Sequence, residues 1–155
     1  MKTRRTLLAA LFLSGTLGVW AQSSEAGADA IVVIVNKANP ASSLAASELR
    51  PIFQTTKTSW GTGSDATPFN LPHGNGLRAE FDQAVLGLDP ERVARYWQDR
   101  KIRGGARAPK QLPSTSAVLA AVAANPGAIG YLNASETNGT VKVVAKIVGG
   151  KLSAP

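Results

Sequence analysis

Seventeen basic and 10 acidic residues in a chain of 155 give a formal net charge of +7, with one histidine and no cysteine. The missing cysteine excludes disulfide bracing, a thiolate metal ligand and lipid attachment at a cysteine, and the lone histidine leaves no His-based metal cluster. The basic excess favours anionic partners but falls far short of the dense Lys/Arg stripe of a nucleic-acid binder.

The first 21 residues set the expected compartment. Lys2, Arg4 and Arg5 precede a mostly apolar stretch, Thr6 to Val19, that ends in Val19-Trp20-Ala21, the pattern of a cleavable signal peptide. The apolar run is shorter than the ~20 residues that cross a hydrocarbon core, so an anchor is the lesser reading, and a periplasmic protein with no membrane span after signal removal is expected. Three of the 17 basic residues and none of the 10 acidic ones lie in this leader, so Gln22 to Pro155 carries +4 over 134 residues, the length of one domain. Residues 22–29 read as a small, polar lead and 30–155 as the domain.

Ile31 to Val35 is an unbroken β-branched run, which suits a strand covered on both faces. Leu49, Ile52 and Phe53 have helical spacing, and Pro51 makes that helix short or distorted. Thr55 to Thr67 is turn-rich, Pro68 to Leu71 reads as a brief strand, and Pro72 to Gly76 leads into a helix with Leu77, Phe81, Val85 and Leu86 near one face and Gly87 at its end. Asp89-Pro90-Glu91 is a strong helix start, with Val93, Tyr96 and Trp97 as the buried face. Arg100 to Lys110 is a Gly-rich basic loop, whose usual meaning is a solvated surface and whose other reading is anion steering or a partner face. Ser114 to Ser116 caps a helix carrying Val118, Leu119, Val122 and Ala123, which stops at Asn125-Pro126-Gly127. Ala128 to Leu132 and Val141 to Val148 read as strands separated by Asn138-Gly139. About four strands and four helices interleave, so the class is α/β with a mixed sheet.

Taken together, Asn36 to Pro40, Ser42-Ser43-Leu44, Glu48 to Phe53, Trp60, Gly74-Asn75-Gly76 before a helix, and Asn125-Pro126-Gly127-Ala128-Ile129-Gly130-Tyr131 resemble the phosphate-binding proteins of ABC transporters. The resemblance covers almost all of the chain after the leader. It implies one lobe of a periplasmic-binding-protein-like (type 2) fold, a mixed sheet flanked by helices, where full-length members close two lobes on the anion. It also implies a phosphate loop in which an Arg, an acidic residue, a Ser and a Thr hold the ligand. Leu71, His73, Asn75 and Leu77 stand at those four positions, and of the loop's pattern only Gly74 and Gly76 are retained.

What physics leaves at this loop is a backbone site. Glycines before a helix let N–H groups face a ligand, and the helix N-terminus adds partial positive charge. The candidate ligand-binding residues are therefore His73, Gly74, Asn75, Gly76, Leu77 and Arg78, with an amide from Asn75 and a guanidinium from Arg78. Plain turn geometry is the alternative for the two glycines, a solvated loop residue for His73, and core packing for Trp60, Trp97 and Tyr131. Glu80 and Asp82 do not share a helix face, so no acid/base pair stands out, and no catalytic residue, metal or cofactor is expected. Two readings stay open: a solute-binding module for phosphate or another small oxyanion, working with a transporter permease, or a ligand-free periplasmic module that contacts a membrane sensor, channel or transport component.

Overall fold

A computed structural model describes residues 30–155; the leader assigned to 1–21 and the lead at 22–29 lie outside them. Six strands form one mixed sheet: β1 (Ile31–Asn36), β2 (Thr67–Asn70), β3 (Lys110–Gln111), β4 (Ala128–Asn133), β5 (Val141–Val148) and β6 (Lys151–Ser153), in the order β3-β2-β4-β1-β5-β6. β2 runs parallel to β3 and to β4, while β1 is antiparallel to both β4 and β5, and β5 to β6. Every residue of β1 is buried, as its β-branched run requires at the centre of a covered sheet.

Four helices cover the two faces: α1 (Ala46–Phe53), α2 (Gly76–Leu86), α3 (Pro90–Ile102) and α4 (Thr115–Ala124). Alternation along β4 separates them, because successive residues point to opposite faces. Gly130 faces α4, and a Cβ there would lie 2.4 Å from the Val118 side chain, so only glycine admits the helix this close. Tyr131 faces the other way, stacked 3.8 Å from Phe81 of α2, which meets Phe53 of α1 at 4.6 Å. Their strand partners follow: Ile34 pairs with Gly130 and Val33 with Tyr131.

The helix termini explain where the chain turns. Asp89 accepts the Arg92 N–H at 2.9 Å with Pro90 at the first helical position, and Ser114 accepts the Ala117 N–H. Asn36, buried at the end of β1, donates to the Val122 and Ala123 carbonyls at 2.9 and 2.8 Å and so satisfies two orphan acceptors at the end of α4. Trp60 is half-buried and donates its indole N–H to Gly127, tying the turn-rich segment to the turn before β4. On α3 only Val93 is fully buried. Tyr96 and Trp97, expected beside it, are half-covered and pack against each other.

Candidate functional site

The loop from Leu71 to Asn75 leaves the end of β2 and enters α2. Its first residue is anchored: Leu71 is fully buried, and its N–H donates to the Asn70 side chain at 3.0 Å. Asn70 in turn accepts from the Tyr131 hydroxyl, whose phenol is held neutral because burial raises its pKa. The Asn75 N–H then closes a turn onto the Pro72 carbonyl at 3.2 Å, with Gly74 at φ 85°, a backbone conformation that a side chain would strain.

Asn75 caps α2. Its side-chain oxygen accepts the N–H groups of Leu77 at 2.9 Å and Arg78 at 3.3 Å, two of the donors an anion at this helix end would use. The cap uses the oxygen of the Asn75 side chain, while the amide N–H groups that the sequence offers to a ligand take no part in it. Arg78 is buried, donating Nη1–H to the Leu71 carbonyl at 2.9 Å and Nε–H to Asp82 at 3.3 Å. The Arg78–Asp82 pair lies almost wholly out of solvent. Burial pushes the Asp82 carboxyl above its ordinary range, while the charge and hydrogen bond of Arg78 pull it back down.

A cavity of about 140 Å³ opens beside this arrangement, lined by His73, Gly74, Asn75, Gly76, Arg78, Ala79, Asp82, Pro90 and Val93. Five of the six candidate residues meet here. The sixth, Leu77, is half-buried and packs against the core. His73, Gly74 and Gly76 are exposed at the opening. Partial desolvation at the opening, and then the charge of Arg78, hold the His73 imidazole below its ordinary value, so it is neutral at neutral pH. A Cβ on Gly76 would meet nothing within 4 Å, which leaves its backbone open to a small ligand. Asp82 entered the sequence reading only beside Glu80, and its pairing with Arg78 was missed. Its signal was the spacing of four from Arg78 on one helix, the geometry of an i,i+4 ion pair. Glu80 is exposed and faces away, as its spacing from Asp82 requires. Among the described residues no cluster of three or more His, Asp or Glu is placed to hold a metal ion, and no helix is long and apolar enough to cross a membrane.

The likenesses to known proteins concern this same lobe. The chain is similar in fold to a putative phosphate ABC transporter substrate-binding protein with bound phosphate from Clostridium perfringens, with a TM-score of 0.63 and 22% identity over 81% of this chain and 47% of that one. It is also similar to an ABC-type phosphate transport receptor from Vibrio cholerae (TM-score 0.60, 19% identity, 77% of this chain and 47% of that one) and to PstS from Borrelia burgdorferi (0.57, 15%, 77% and 51%). The chain spans about half the length of these structures. A search of curated proteins returned no match. Residues 16–153 match the PBP superfamily domain, and with the one-lobe architecture just described this chain belongs to that superfamily.

Proposed function

We propose that this chain is a periplasmic solute-binding module of the phosphate-binding type, a binder and not an enzyme, which takes phosphate or another small oxyanion weakly at the mouth of the α2 cavity. The observation that carries the reading is the cavity itself: exposed Gly74 and Gly76 backbone at a helix N-terminus, with a guanidinium in the wall and room for a small anion. The phosphate named for the similar structures supports the choice of ligand. One open lobe leaves much of a bound anion in water, so affinity is about millimolar and a permease or other periplasmic or membrane partner would complete the task. Intact mass of the protein recovered from a periplasmic fraction should show a chain beginning near Gln22; full-length protein in the inner membrane would refute the localisation.

At constant ionic strength, phosphate should raise the melting temperature in a saturable way that chloride does not, by about 1 kcal/mol or less of added stability at reachable concentrations. Gly76→Val should leave the fold intact, since its side chain enters open space, and abolish the shift. A shift that survives Gly76→Val overturns the site.

One observation favours the second reading, a ligand-free interaction module. The Leu77 and Arg78 N–H groups and two guanidinium donors are already satisfied within the protein. The readings part at Asn75→Ala. Removing the cap costs about 1 kcal/mol of stability in either case. It also frees two N–H donors, so an anion site should gain phosphate affinity, and an interaction module should show no phosphate response before or after the change.

A further inference from the structure

The basic loop plays no part in the anion site, and the charge of the molecule is concentrated there. Arg100 to Lys110 holds five cations and no acid, whereas the rest of residues 30–155 holds nine basic and eight acidic side chains, close to balance. Arg100 is used structurally. Its Nη1–H donates to the Gln54 carbonyl at 2.6 Å and to the Tyr96 hydroxyl at 2.8 Å, and its guanidinium lies 5.7 and 5.6 Å from the ring centres of Tyr96 and Trp97. These contacts fix Trp97, half-buried, as the wall of a groove of about 580 Å³ that Lys101, Gly105, Ala106, Arg107 and Ala108 complete. Lys101, Arg103 and Arg107 are exposed and have no ion-pair partner among the described residues. Asp99 is the one acidic side chain on the last two turns of α3, and Ile102 beside Lys101 is 76% exposed.

We propose that this groove is a docking site for an acidic peptide segment of a protein partner, with an apolar side chain against Trp97, Ala106 and Ala108 and carboxylates on Lys101 and Arg107. Charge complementarity gives the sign, and the apolar wall gives a place for an anchor residue. A small molecule fits poorly, because five of the six lining residues are exposed and would leave it in water. A bilayer meets a plane of basic and apolar side chains, not a concavity between a helix end and a loop. Past the groove the loop becomes β3, one of the two edge strands of the sheet, where an extended segment finds backbone to pair with.

The test is fluorescence anisotropy of a short fluorescein-labelled Glu-rich peptide with one central leucine, titrated with the protein at low salt. Binding should saturate and weaken as salt is added. Lys101→Glu with Arg107→Glu should weaken it at least about tenfold, while a charge-matched reversal at the exposed Lys146 and Lys151 changes it by about twofold or less. Ala106→Glu, also at an exposed position, is the second variant should the double change disturb folding, and it should weaken binding too. Absence of peptide binding, or equal loss from the Lys146/Lys151 reversal, overturns the proposal. So does binding of phosphatidylglycerol vesicles or oligothymidylate through Lys101 and Arg107 when the peptide fails to bind.

Discussion

The guanidinium of Arg78 reaches the wall of the cavity, yet it donates to the Leu71 carbonyl and to Asp82 inside the protein. A buried pair of this kind contributes little net stability, but losing one partner strands the other charge and costs about 3–5 kcal/mol. Alanine at position 78 therefore tests folding before it tests binding. His73 is the better probe of the site's electrostatics. Its pKa is held down by burial and by Arg78, so the unfolded chain takes the proton first, and the contribution of His73 to stability is lost as pH falls through the lowered value. A bound anion works in the opposite direction because it prefers the protonated ring. Stabilisation by sulfate, whose charge is constant here, should grow as pH falls below about 6.5. Asp82, with its raised carboxyl pKa, adds to the trend further down as it loses its charge. His73→Gln should remove the upper part of this trend. Sulfate stabilisation independent of pH in the wild type would contradict the placing of the anion beside His73.

At the scale of elements, α4 packs closely on the sheet. Val118 and Val122 are buried against β4, where Gly130 gives way for them. Val122→Asp should destabilise the fold by about 4 kcal/mol or more, since the carboxylate would find no partner there, and urea unfolding that matches the wild type would refute this packing. Much of this level was legible in the sequence because it is locally encoded: the β-branched run of β1, the Asp89-Pro90 and Ser114 caps, and Gly87 after α2. Two strands were not. Lys110–Gln111 and Lys151–Ser153 are too short and polar to show alternation, and only their neighbours in the sheet make them strands. Nor could local pattern show that β1 lies between β4 and β5, or that Tyr131 meets Asn70 across 61 residues. Helical spacing put Tyr96 and Trp97 with Val93, but they lie towards the end of α3, where Arg100 and each other are their partners. At the candidate site the glycines and the helix start could be read directly. The use of the Asn75 oxygen as a cap and the withdrawal of Arg78 into an ion pair depend on side-chain direction and burial, which spacing alone does not give.

For the whole molecule, the decisive fact is that the described residues form one lobe and that the chain spans about half the length of the similar structures. A cleft between two lobes removes most of its ligand from water, while a single lobe offers a mouth, and weak, backbone-led binding is what such a surface supports. The acidic-peptide groove is separate from that mouth, so the two proposals fail independently. Anion binding at the mouth is tested most closely by an amide ¹H–¹⁵N titration of the protein with phosphate at constant ionic strength, chloride being the reference. Saturable shifts led by the Gly74 and Gly76 amides are expected, with a common dissociation constant of about millimolar, and they should vanish in Gly76→Val. Shifts that are absent at these glycines, or that fall instead on Lys101 to Lys110 and follow chloride equally, would contradict it.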